Sequence, residues 1–278
     1  MEIHLQENTG TELNPNKPIN MKEKKTLLII PYLRAAAQGG ELETAVNGWL
    51  KNFKGDLQIA IIGDESPVVK RLVTQQKVVF LPSERDPKHA KEPALDIARK
   101  MRYAMSFFVN NPLADNFSGC IWSNDDIYPV NPVTLKDIKA LKWIGTEMTG
   151  NPESANYFQR SMYRSAVALR EAGKPAHNHC THLPNWFDFG RLKEVLDAYD
   201  CDNTPHLIGC LYYNHWYTSP KAVRIDVSKP GNRYKVGVYT RNYDLDSLRK
   251  QIEAGTLFVN NSSAGYSKEL ILAVRKYI

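Results

Sequence analysis

Cys120-Ile121-Trp122-Ser123-Asn124-Asp125-Asp126 is an apolar run that ends in two adjacent carboxylates. It reads as a buried strand delivering acid groups to its C-terminal rim. Side-by-side carboxylates repel and lose hydration on burial, so a stable domain tolerates them at a strand end when solvent or a cation relieves the charge. Mg²⁺ or Mn²⁺ suits that position, because either ion prefers oxygen ligands, takes one or two protein carboxylates, and completes its shell with water and substrate phosphates. Asp125 and Asp126 are therefore the expected metal ligands, and a nucleotide-diphosphate donor is the expected source of phosphate. The structural alternative is that one of them caps a helix within 127–141.

Other groups can serve the same donor. Gly63-Asp64-Glu65-Ser66 follows an apolar run, so Asp64 can accept from a base N–H or a ribose hydroxyl, or can spend its oxygens on its own turn. Arg85, Lys88 and Lys91, with Arg99 farther on, can offset pyrophosphate charge or form a solvated basic face. The loop after the first expected strand brings Pro31, Tyr32 and Arg34 to the ligand edge, Arg34 within reach of a phosphate. In the same loop, Gln38-Gly39-Gly40-Glu41 precedes a helix and can present bare backbone N–H groups to an anion. Neither a GxGxxG fingerprint nor a GxxxxGK[ST] loop is present.

On the acceptor side, His177-Asn178-His179-Cys180-Thr181-His182 invites a zinc reading, but three histidines crowded into six positions without a second ligand pair do not form a zinc pattern. A general base is the better use of one of them. His182 is chosen because His182-Leu183-Pro184 is a stiff segment before an expected helix. Glu147, in the 145–151 loop, is the second candidate base, and a Cys180/His182 nucleophilic pair is a further reading. His206 and His215 sit among aromatics, as core or sugar-stacking positions.

The elements that must position these groups follow from periodicity. Strands are expected at 26–31, 57–62, 77–81 and 119–123, alternating with helices at 41–53, 68–73 and 93–107. Short apolar strands alternating with helices imply an α/β fold, a mostly parallel sheet with helices on both faces. Its strand C-termini, and the loops that follow them, share one edge where ligands bind. The second half is less regular: helices at 156–171, 189–199, 245–253 and 268–277, and strands at 209–217 and 233–239. The expected organisation is a leader at 1–24, a nucleotide-binding half at 25–144, and an irregular α+β acceptor-side subdomain at 145–278 packed on it. The leader reads as disordered or appended, with Met21 as an alternative start.

The chain has 278 residues, 42% hydrophobic and 24% charged, enough for a large core. No apolar stretch approaches the ~20 residues that span a bilayer, and no signal-peptide pattern opens the chain, so a cytoplasmic protein is expected. Four cysteines without CxxC spacing read as reduced thiols. The net charge of +6 is interspersed with acids and partly concentrated at Lys22, Lys24 and Lys25. With no basic helix or RNP-type aromatic motif, specific nucleic-acid binding is not expected. An anionic substrate accounts for the balance equally well.

The order of strand, Gly-Asp-Glu-Ser, basic segment, Ala98-Arg99 helix, strand and Asn124-Asp125-Asp126 resembles the GT-A fold of nucleotide-sugar glycosyltransferases, over about 26–130. That resemblance implies Asp64 at the base, Arg99 near the phosphates, and Asp125 and Asp126 on Mn²⁺ or Mg²⁺. Later segments are similar to Stealth-type capsular-polysaccharide sugar-phosphate transferases: Asn124-Asp125-Asp126-Ile127-Tyr128, His182-Leu183-Pro184, and Phe258-Val259-Asn260-Asn261 before a C-terminal helix. The chain departs from them where Pro31-Tyr32-Leu33-Arg34 replaces V-x-G-S-D, where Pro205-His206-Leu207 replaces an arginine segment, and where Asn261 replaces an acid. The expected activity is metal-dependent glycosyl transfer from a nucleotide sugar such as a UDP-sugar to a glycan or other hydroxyl acceptor. The alternatives are sugar-1-phosphate transfer from the same donor, and a non-catalytic glycan- or nucleotide-binding module, with Tyr212-Tyr213-Asn214-His215-Trp216-Tyr217 to grip glycan.

Overall fold

The computed structural model describes residues 25–110 and 117–278; the leader expected at 1–24 lies outside the described residues. β1 (Thr26–Tyr32), β2 (Leu57–Gly63), β3 (Val79–Pro82), β4 (Gly119–Trp122) and β7 (Asn185–Asp188) form a five-stranded sheet in the order β3-β2-β1-β4-β7. All its pairings are parallel except β4 with β7. The near-continuous apolar sequences of β1 and β2 follow from burial on both faces. Leu28, Ile30, Ile59 and Ile61 point to one side, where Leu42, Val46 and Trp49 of α1 (Glu41–Asn52) cover them. Leu27, Ile29, Ala60 and Ile62 point to the other, under Ala98, Met101, Met105 and Phe108 of α3 (Pro93–Asn110). Each such fully buried aliphatic or aromatic side chain contributes about 1.5–3 kcal/mol relative to exposure.

Gly63 ends β2 at φ +149°, and a Cβ there would lie 1.9 Å from the Tyr32 carbonyl oxygen. Only glycine lets the ends of β1 and β2 stay paired as far as Tyr32↔Gly63. α2 (Pro67–Thr74) follows, capped by Ser66, whose Oγ accepts from the Val69 amide at 3.3 Å. β1 leads to β2 and β3 on one side, whereas β4 lies on its other side. The crevice between the C-termini of β1 and β4 is thus the switch point where open α/β sheets bind ligands.

The second half joins the first through strands. β5 (Ile127–Pro129) pairs antiparallel with β10 (Phe258–Asn261), which pairs parallel with β9 (Lys235–Val238), and β6 (Lys142–Trp143) pairs with β8 (Ile225–Asp226). Strands from 145–278 therefore enter every sheet. The remaining helices are α4 (Leu135–Lys139), α5 (Tyr157–Glu171), α6 (Phe189–Ala198), α7 (Ile208–Trp216), α8 (Leu245–Glu253) and α9 (Lys268–Arg275).

Two expectations are corrected. The strand expected at 209–217 is helix α7. Cys210, Leu211, Tyr212, Tyr213 and Asn214 are all buried, and an element apolar around its whole circumference shows no helical period in sequence. The helix-capping use of Asp125 or Asp126 is also absent: strand β5 follows them, and α4 is capped by Thr134 and Asp137 in a reciprocal capping box. Among the described residues no helix is long and apolar enough to cross a membrane.

Candidate functional site

β4 is buried throughout and stops when Ser123 donates its amide to the Ile29 carbonyl at 3.1 Å. The chain then turns outward, leaving Asn124 exposed and Asp125 and Asp126 half-buried. Burial raises the Asp125 carboxyl to about 7, with repulsion from Asp126 and Glu41 adding to it. Asp126 is likewise pushed up to about 7, by burial and then by Glu41. The cluster is an electrostatic deficit that a cation relieves.

Glu41 is the residue the sequence reading missed at this position. It is buried at the start of α1, its Oε1 accepting from Asn261 Nδ2 at 2.7 Å and its Oε2 from the Gln38 amide at 2.8 Å. Asn261 Oδ1 in turn accepts from the Tyr128 hydroxyl at 2.6 Å. The loop before α1 therefore gives its Gln38 N–H to its own carboxylate and not to an external anion. The acid following Gly39-Gly40 was the available signal.

Pro31, Tyr32, Asn124, Asp125 and Asp126 of the expected set line one recess of about 290 Å³, together with Glu41, Arg85 and Lys100. Opposite charges thus face a single space. The cations are organised by Asp96, fully buried on α3, which receives Lys100 Nζ at 2.7 Å, Arg99 at 2.9 Å and Arg85 Nε at 3.3 Å. Burial alone would raise the Asp96 carboxyl, but the bonds from Lys100, Arg99 and Arg85 outweigh it and hold the group below its ordinary value. Three cations on one anion leave a net positive wall. Arg99 turns away from the recess to Asp96 and the Glu84 carbonyl, so the recess-lining cation of α3 is Lys100, whose side chain is 2% exposed.

Asp64 and Arg34 are brought to each other, not into that wall: Asp64 Oδ2 accepts from the Arg34 amide at 2.9 Å. The pair fastens the loop after β1 to the end of β2. Lys91 is exposed and also outside the recess walls, its carbonyl accepting from Arg160 at 3.4 Å.

A second recess of about 380 Å³ holds His182, and it shares Arg85, Ile97, Asn124 and Tyr157 with the first, so the two form one cleft. His182 adopts φ +50°, and its ring stacks on Phe158 with centroids 6.5 Å apart. The residue is exposed, and partial desolvation and the nearby Lys235 hold its pKa below the ordinary histidine value. Glu147 is not brought there: it is exposed, pairs with Arg170 at 3.8 Å, and lines neither recess. His179 lines the second recess; its Nδ1 donates to the Lys142 carbonyl at 2.6 Å, and burial lowers its pKa to about 4. Tyr212 and Tyr213 are buried, their hydroxyls accepting from the Asp188 and Trp186 amides at 3.1 Å each. They fasten α7 to β7 and offer glycan no open platform.

Among the described residues no group of three or more His, Cys, Asp or Glu side chains is placed to hold a metal ion. Two carboxylates nevertheless fit an ion of the Mg²⁺ kind, which draws its remaining ligands from water and phosphate. No family model matches the chain, and no curated protein matches it significantly.

Proposed function

We propose that this protein is a metal-dependent transferase of the GT-A type that uses a nucleotide sugar as glycosyl donor and a hydroxyl group as acceptor. One observation carries the reading: paired strand-end carboxylates and the cations Arg85 and Lys100 line the same recess, at the switch point between β1 and β4. Carboxylates alone would repel a diphosphate, and cations alone would leave two acids with raised pKa beside each other. A metal–diphosphate satisfies both walls.

Asp125 and Asp126 would hold the divalent ion, with Glu41 supplying negative potential from α1. When bound, the ion supplies Lewis-acid neutralisation of the diphosphate. Lys100 and Arg85, fixed by Asp96, contact phosphate oxygens from the other wall. The sugar then extends across Asn124 towards the second recess. There a neutral His182 imidazole nitrogen takes the proton of the acceptor hydroxyl as its oxygen attacks the anomeric carbon. The bond from that carbon to phosphate oxygen breaks, and the nucleoside diphosphate leaves with the electron pair.

The test incubates the full chain with Mn²⁺, a panel of nucleotide sugars and simple glycan acceptors, and follows nucleotide release. The reading requires a nucleoside diphosphate from at least one donor, and its loss on Asp125→Asn with Asp126→Asn. Release of a nucleoside monophosphate would instead assign sugar-phosphate transfer. No metal-dependent turnover across the panel, with nucleotide binding retained, would leave the binding-module reading in its place.

A further inference from the structure

We propose that Cys180 and Cys210 form a reversible disulfide, a covalent clasp between the loop that carries His182 and the first turn of α7. The two Sγ atoms already lie 3.2 Å apart, and a disulfide needs about 2.0 Å, so a short approach is enough. Both cysteines line the second recess, Cys180 partly exposed and Cys210 buried.

The contact is preorganised by a neighbouring rung. Cys210 and Asn214 are four residues apart and share one face of α7. Asn214 Nδ2 donates to the His177 carbonyl at 2.8 Å, and Asn214 Oδ1 accepts from the His177 amide at 3.0 Å. Asn178 Oδ1 accepts from the Cys180 amide at 3.0 Å and fixes the turn between the two rungs. Helix and loop are thus held in register on the amide side, and the thiol pair falls beside it.

The oxidant class is a hydroperoxide. Cys180 sulfur attacks the peroxide oxygen, the O–O bond breaks, and Cys180 becomes a sulfenic acid as water or an alcohol leaves. Cys210 sulfur then attacks Cys180 sulfur, the S–O bond breaks, and water leaves with the Cys210 proton. Two thiols lose two electrons, and the peroxide gains them. The contact with Cys210, and then burial, hold the Cys180 thiol well above its ordinary pKa. Formation is therefore slow near neutrality.

The experiment exposes the full chain to hydrogen peroxide, removes the peroxide, unfolds the chain in urea with iodoacetamide to block remaining thiols, and maps the peptides by mass spectrometry with and without prior reduction. The expected result is a peptide pair joined through Cys180 and Cys210, with Cys120 and Cys201 alkylated and the join lost on reduction. Cys210→Ser should abolish the join, and the wild-type map decides the matter even if that variant folds poorly. Recovery of Cys180 and Cys210 both alkylated after peroxide would overturn the proposal. So would Cys180 joined to Cys120 or Cys201, or found only as a sulfinic acid.

Discussion

Asp96 decides whether the cationic wall exists, because Lys100 is buried and has its charge matched there. Asp96→Asn keeps the shape and removes the anion, so it should destabilise the protein by about 3 kcal/mol, as breaking a buried pair does. Urea denaturation at neutral pH measures this, and a change below about 0.5 kcal/mol would contradict the assignment. Since the folded Asp96 pKa is depressed, its contribution is present above the unfolded value and is lost as pH falls through the folded one. His179 gives a separate pH signature. Its folded pKa is lowered from 6.5 to about 4, so the unfolded chain binds a proton that the folded chain refuses across that window. Stability present above pH 6.5 should be lost as pH falls towards about 4, and His179→Gln should flatten part of that slope. An unchanged slope would show that the buried ring does not titrate this way.

Elements explain why some of the site was readable and some was not. The strands β1, β2 and β4 announce themselves because both faces are buried, and the carboxylates at the end of β4 follow from that. Arg85 was legible as part of a basic segment. Lys100 was not, because a cation on the polar side of an amphipathic stripe looks solvated until Asp96, one turn earlier, is known to be buried. The misreading of α7 has the opposite cause, since burial on all sides erased its period. As a helix, α7 places Asn214 against the His177 backbone. Asn214→Ala should therefore loosen the histidine loop and cost about 1–3 kcal/mol through unpaired backbone groups, measurable by thermal or urea unfolding. The same loop presents His182 to the second recess. His182→Ala should lower turnover about 10²–10⁴-fold while leaving donor affinity unchanged, and equal losses in both would assign it to donor binding instead.

At the scale of the molecule, the two halves share their sheets: β4 ends against β7, and β5, just after the carboxylates, is held by β10. A fragment ending at residue 144 would expose both of those strand edges, so it should lack a cooperative thermal transition. A sharp melt of that fragment would show that the first half folds alone. What the shared sheets achieve is convergence. β1 and β4 supply one wall, α3 supplies Lys100 and the loop before it Arg85, and the second half supplies His182, all on the edge where the strand order reverses. The central claim is that this edge binds a metal–diphosphate through Asp125 and Asp126, and calorimetric titration of nucleoside diphosphates in Mn²⁺ tests it most directly. The account predicts that at least one diphosphate binds, and that chelator or the Asp125→Asn, Asp126→Asn pair weakens it by about tenfold or more, roughly 1.4 kcal/mol. Equal affinity with and without Mn²⁺, or in the paired variant, would contradict it.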